Sequence, residues 1–247
     1  MIPPTYDQTR AAWQTIWDGA SVQIELEAIQ YPRAQETLNR YRPYLPKDAP
    51  ILEAGSGLSA VVIALRRLGY DVIGLDYAAN ALHISRAHDP TLPLVAGDVH
   101  ALPFADGSLG GYLSFGVLEH FEHGMQPALK EAYRVLRRGG VLVLTIPYPN
   151  AVYRAVKWKN RRQPPTGYYE TAYTRAELIR SIVEAGFHLA LAAPTSHDFT
   201  LWGLGGLFRA PGYYRTSRIA AIGGAILRFT LPWAFNYMTL IVAHKPG

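Results

Sequence analysis

The chain has no cysteine among its 247 residues, so disulfides, zinc-thiolate centres, iron-sulfur clusters and cysteine nucleophiles are excluded together. It also lacks any run of eighteen uninterrupted apolar residues. The nearest candidate, residues 219–243, is broken by Arg228, Pro232 and Asn236, which argues against a bilayer-spanning helix. The opening MIPPTYDQTRAAW carries early Pro, Asp and Arg and no apolar signal-peptide core. There is no internal repeat or low-complexity tract. A cytoplasmic location is the simplest reading, with contact at the cytoplasmic face of a membrane as the other.

What is present supports one large domain with additions. Hydrophobic residues make up 49% of the chain, enough for a substantial core. The net charge is +5, from 24 Lys and Arg against 19 Asp and Glu. Much of the excess lies in Arg134, Arg137, Arg138 and the run Arg154, Lys157, Lys159, Arg161, Arg162. Such a cluster is either a solvated face or a meeting point for an anionic partner. The lack of a nucleic-acid module around it disfavours nucleic acid.

Residues 1–47 read as a helical N-terminal cap bearing Tyr6, Trp13 and Trp17. Pro43, Pro46 and Pro50 then mark the entry to a domain spanning 48–247. Apolar strands are expected at 51–54, 71–76, 92–96, 109–115 and 141–146, with helices near 58–68, 78–88 and 125–137 between them. This βα alternation predicts a parallel sheet. Thr174 followed by Glu177 predicts a capping box and a helix to about Ala185, then strands near 187–194 and 237–243. Two insertions interrupt the pattern: 148–173, rich in Tyr, Pro and basic residues, and 199–235, apolar and glycine-rich.

The chemistry is concentrated at strand ends. ILEAGSG at 51–57 leads from a strand to the helical run 59–69, and Gly55 and Gly57 permit a tight turn and close backbone approach to a ligand. Glu53 is an awkward neighbour for a pyrophosphate but a suitable one for an α-amino group, which favours S-adenosylmethionine over a dinucleotide. Asp76, at the end of VIGLD, can accept from ribose hydroxyls, and Tyr77 can pack beside an adenine. Asp98 in VAGDVHALPF can accept from an adenine amino group, with the Val99 backbone meeting a ring nitrogen. Phe115 completes the expected cofactor pocket.

With these residues the chain resembles the class I S-adenosylmethionine-dependent methyltransferases, in particular the small-molecule group that includes quinone and sterol methyltransferases. The matching pieces are ILEAGSGLS, VIGLDYAANAL, AGDVHALPFADGSLGGYLSFGVLEHF and AYRVLRRGGVLVLTIPYPN, continued by YTRAELIRSIVEAGF. The resemblance implies a doubly wound, mostly parallel, seven-stranded Rossmann-like sheet of order 3-2-1-4-5-7-6 with strand 7 antiparallel. It implies that Glu53 contacts the methionine part of the cofactor, Asp76 the ribose, and Asp98 with Val99 the adenine. One position departs from the pattern: Ser59 stands where the third glycine is usual, where its hydroxyl is expected to satisfy an exposed amide at the helix start.

Methyl transfer relies on proximity and alignment, assisted for an acidic acceptor by a general base. GVLEHFEHG offers Glu119, His120 and His123 as catalytic candidates, although short-helix packing explains the same residues. Some quinone-type relatives carry a metal-binding Glu-x-x-Glu-His cluster; Gly116 replaces its first glutamate, so no metal site is expected. Tyr6, Trp13, Trp17, Tyr148, Tyr153 and Tyr169 are the expected acceptor-binding aromatics. The leading expectation is methylation of an oxygen or nitrogen of a small organic molecule. The alternatives are a lipid or quinone-like apolar acceptor, C-methylation, or a non-catalytic cofactor-binding protein. Segment 199–235, with Arg209, Arg215, Arg218 and Arg228, is open to three readings: core or homo-oligomer packing, a lid over the acceptor, or a peripheral membrane contact.

Overall fold

A computed structural model describes residues 5–160 and 167–247. Three helices precede the first strand: α1 (Tyr6–Asp18), α2 (Val22–Ile29) and α3 (Pro32–Tyr41). The alternating body follows as β1 (Ile51–Ala54), α4 (Ala60–Arg67), β2 (Val72–Asp76), α5 (Ala79–His88), β3 (Leu94–Ala96), β4 (Leu109–Phe115), α6 (Gln126–Val135) and β5 (Leu136–Pro147). The chain then forms α7 (Ala151–Asn160), α8 (Arg175–Glu184), β6 (His188–Thr195), α9 (His197–Trp202), α10 (Arg218–Thr230) and β7 (Met238–His244). Arg161 and Arg162 of the basic run, and the first four residues of the N-terminal segment, lie outside the described residues.

The strands form one seven-stranded sheet in the order β3-β2-β1-β4-β5-β7-β6. β1 to β5 run parallel, and β7 is antiparallel to both β5 and β6. This is the doubly wound methyltransferase sheet implied by the resemblance. Both faces are covered. Ile51, Leu113, Val141, Val143, Leu240 and Val242 pack with α2 to α5 on one side. Their alternating neighbours Leu52, Tyr112, Leu142, Leu144, Ile241 and Ala243 pack with α6 and α8 on the other. A period of two with apolar residues in both phases is what a sheet buried on both faces requires.

The helix at 174 forms as expected, with Thr174 and Glu177 exchanging both capping bonds. β5 differs from expectation by starting at Leu136, five residues early. Leu136 pairs with Leu109, and a register irregularity follows between Leu109 and Gly111. α6 stops at Val135 because Leu136 already has extended backbone, at φ −70° and ψ 136°, so no helix continues to residue 137. Among the described residues no helix is long and apolar enough to cross a membrane.

Strand order reverses between β1 and β4, and the crevice outside the carboxyl ends of strands at such a switch point is where doubly wound sheets bind ligands.

Candidate active site

A cavity of about 240 Å³ opens at this crevice, walled by α1, α2 and the turns that follow β1, β2 and β4. The turn after β1 is shaped by Gly55 and Gly57, at φ +80° and +48°. A Cβ on Gly55 would collide with the Val117 side chain, and one on Gly57 would lie 2.7 Å from the Trp17 ring. The cavity floor here is therefore bare backbone, with side chains from two other segments already in contact with it.

Glu53 is buried beside this turn, and its Oε2 accepts the Val62 N–H at 3.0 Å. Burial, opposed by that bond and reinforced by neighbouring Asp76, pushes its carboxyl up to about 8. Ser59 was expected to cap α4, but its hydroxyl makes no capping bond and its backbone is left-handed at φ +59°. The expectation is corrected: Ser59 occupies a conformation that glycine would adopt freely, and the Glu53 carboxyl satisfies an amide in the first turn of α4 instead.

Asp76 ties two turns together. Its Oδ2 accepts from Gly57 N and its Oδ1 from Ala78 N, each at 2.8 Å. Burial raises its carboxyl above the usual range, and these two bonds oppose the rise. Each oxygen retains a lone pair for a ligand hydroxyl. Tyr77, Val99 and Phe115 line the same cavity.

Asp98 does not line it. Its Oδ2 accepts the Tyr6 hydroxyl at 2.7 Å, while its Oδ1 faces His100 N and Nδ1, each at 2.9 Å. Burial opposes ionisation of Asp98, but these hydrogen bonds outweigh it and hold the carboxyl well below the usual range. Tyr6 thus clasps α1 on the β3 side of the site through its hydroxyl while also lining the cavity. A second clasp holds the far end of α1: Asn80 Nδ2 donates to Gln14 O and to Asp18 Oδ1, each at 2.7 Å. Between the clasps, Trp13 and Trp17 stack at 5.6 Å and face the cavity.

His120 sits in a short 3₁₀ turn, Leu118–His120, after β4. Its ring meets Trp13 and Tyr168 edge-on, with centroids 5.1 and 5.3 Å away. Nδ1 is 2.7 Å from the Tyr169 carbonyl, so Nδ1 must donate and the basic lone pair belongs to Nε2. Burial lowers the imidazole pKa, against the opposing pull of the Tyr169 carbonyl and Glu170. His120 is the neutral titratable base of the cavity wall.

The other candidates lie elsewhere. Glu119 is buried, its Oε2 has no hydrogen-bond partner among the described residues, and burial raises its carboxyl well above the usual range. The His123 side chain is 87% exposed beside Glu122. Tyr148 packs on Trp233, Tyr153 bonds Glu170, and Tyr169 reaches the site only through its backbone. Segment 148–173 contributes a carbonyl to His120, and none of its three expected tyrosines lines the cavity. Among the described residues no three His, Asp or Glu side chains converge as a metal site.

Sequence reasoning missed Thr9, Glu25, Ile29, Val117 and Phe121, all on the cavity wall. Glu25 and Ile29 are four residues apart on α2, whose Val22 and Leu26 are buried against the core. That amphipathic spacing was a usable signal for the helix but not for what its second stripe faces. Burial raises the Glu25 carboxyl, opposed by a bond from Tyr213.

A methyltransferase-domain family model matches residues 52–144, the span from β1 to β5. A probable S-adenosylmethionine-dependent methyltransferase of Mycolicibacterium smegmatis is 31% identical over 140 residues, covering 56% of this chain and 52% of that protein. A demethylmenaquinone methyltransferase of Streptomyces avermitilis is 32% identical over 120 residues, covering 47% and 51%. The chain thus spans about half the length of these curated relatives. In structure it is similar to a chain from the complex of the Haloferax volcanii Trm112 methyltransferase activator with a methyltransferase. That TM-score is 0.68 at 20% identity, covering 95% of this chain and 98% of the other. Residues 52–144 thus form a methyltransferase domain, and the sheet order with its glycine turn and acidic strand ends is that expected of the class I S-adenosylmethionine-dependent methyltransferases.

Proposed function

We propose that this chain transfers a methyl group from S-adenosylmethionine to a small, largely apolar organic acceptor bearing an acidic proton, such as a phenolic or quinol-like ring. The observation that carries this reading is one cavity joining the bare glycine turn, the buried Glu53 and Asp76 carboxyls, and a neutral His120 set among aromatic rings. The residues fit the cofactor. Glu53 has one carboxyl oxygen tied to Val62, leaving its other oxygen for an α-ammonium, and Asp76 presents free lone pairs for a ribose diol.

When bound, the cofactor supplies an activated methyl group whose transfer needs no protein nucleophile. The chain contributes position and water exclusion. Trp13, Trp17, Ile29, Val117 and Phe121 wall the space with apolar surface, which favours an apolar acceptor over a sugar-like one. His120 is placed to take the acceptor's proton on Nε2, and the Tyr169 carbonyl stabilises the resulting imidazolium. A phenolate generated this way is nucleophilic at oxygen and at its ring carbons, so proton removal prepares either atom. The similarity to a demethylmenaquinone methyltransferase supports the apolar class.

Two measurements test the proposal. Calorimetry of the folded protein should show binding of S-adenosylmethionine and none of NAD; no sulfonium-cofactor binding sinks it. Transfer of labelled methyl to paired acceptors should favour an apolar phenol over a polyhydroxylated one; the opposite preference overturns the acceptor class.

A further inference from the structure

Helix α10 is fixed by its small residues. Ala220 and Gly224 are buried, and a Cβ on Gly224 would collide with the Asp198 backbone of α9. That close approach settles which face of α10 points outward. The outward face carries Ile219, Ile222, Ile226 and Phe229, which are 54%, 64%, 57% and 78% exposed. Their spacing of three and four residues makes one apolar stripe along a helix too short to span a bilayer. Leu204 and Leu207 add further exposed apolar surface in the neighbouring segment.

The segment that carries the stripe has charge of one sign. From residue 199 to the last residue the sequence contains no Asp or Glu, while it carries Arg209, Arg215, Arg218, Arg228 and Lys245. Arg209, Arg215 and Arg218 are exposed. Among the described residues no carboxylate lies within ion-pair distance of Arg215 or Arg218, whereas Arg228 is paired with Glu36 at 3.0 Å. An exposed apolar stripe with a cationic border fits an interfacial helix lying in the plane of a negatively charged lipid surface. A second copy of the chain is a poorer occupant, since a two-fold contact brings this arginine border against another arginine border.

We propose that α10 and the segment before it dock this protein on an anionic phospholipid surface, with Ile222, Ile226 and Phe229 entering the headgroup boundary and Arg215 and Arg218 meeting lipid phosphates. This surface is separate from the cofactor cavity and does not depend on the identity of the acceptor.

The test is co-sedimentation of the full chain with vesicles of phosphatidylcholine alone or of phosphatidylcholine with phosphatidylglycerol. Wild type should sediment with the anionic vesicles, release as salt is raised, and ignore the neutral ones. Ile222→Asp with Phe229→Asp, and separately Arg215→Glu with Arg218→Glu, should each weaken binding by roughly tenfold or more, about what loss of two near-surface cations produces. All substituted side chains are exposed, and retained cofactor affinity by calorimetry confirms that each variant is folded. Failure of wild type to bind anionic vesicles, or equal binding by wild type and both variants, overturns the proposal. Self-association of wild type that Phe229→Asp abolishes, without vesicle binding, overturns it in favour of a second copy.

Discussion

If Glu53 holds the cofactor's α-ammonium as proposed, cofactor affinity should depend on pH in a definite direction. Its carboxyl is buried and pushed up to about 8 in the ligand-free cavity, so at pH 7 only about a tenth of the molecules carry the charge that an α-ammonium needs. Ionising it before pairing costs about 1.4 kcal/mol at pH 7 and about twice that at pH 6. Affinity should therefore rise roughly tenfold from pH 6 to 7 and level off near pH 8. Each binding event should release nearly one proton at pH 6 and about half a proton at pH 8. Calorimetric titration with S-adenosylhomocysteine, in buffers of different ionisation enthalpy, measures both quantities. Glu53→Gln should flatten the pH dependence and remove the proton release while leaving the Gly57 turn in place. Equal affinity of wild type at pH 6 and 8, with no dependence on buffer enthalpy, would refute the assignment of Glu53 to a cationic ligand group.

The same group shapes stability. Its folded pKa lies above the unfolded value, so its contribution is greatest at low pH and is lost as pH rises through about 8. The ligand-free Tm should fall between pH 6 and 9, and Glu53→Gln should reduce that fall. His120→Asn should lower turnover by roughly 10²-fold or more with little change in cofactor affinity, and His123→Ala should leave both unchanged because that side chain stands in solvent; an intact kcat in His120→Asn rejects the base. Tyr6→Phe removes the hydroxyl bonded to Asp98, and amide exchange across residues 6–18 should quicken while that of β4 stays slow. Thr174→Ala should cost about 1 kcal/mol in urea unfolding through loss of the capping box.

Strand positions were legible because their signal is local. Runs such as VLVL at 141–144 are apolar in both phases, as a sheet buried on both faces requires, and their shortness between turn signals favours strands. The acidic strand ends were legible for the same reason, since Glu53 and Asp76 follow directly from where β1 and β2 stop. Ser59 and Asp98 were read less well, because their hydrogen-bond partners, or lack of them, depend on backbone angles and on a helix 92 residues away in sequence. The placement of Tyr148, Tyr153 and Tyr169 was not legible in the sequence. Clustering in sequence says nothing about which way an insertion turns, and here the Tyr169 carbonyl and the Tyr168 ring are what meet His120.

The sequence by itself determined the sheet, the glycine turn and the two buried carboxyls, because strand period and turn chemistry act over a few residues. Only the tertiary structure decided which of two histidines faces the cavity, that Glu25 joins its wall, and that α10 presents its large apolar residues outward. Those outcomes rest on close packing between segments far apart in the chain. A single glycine beneath α10, pressed on the α9 backbone, is enough to choose the exposed face.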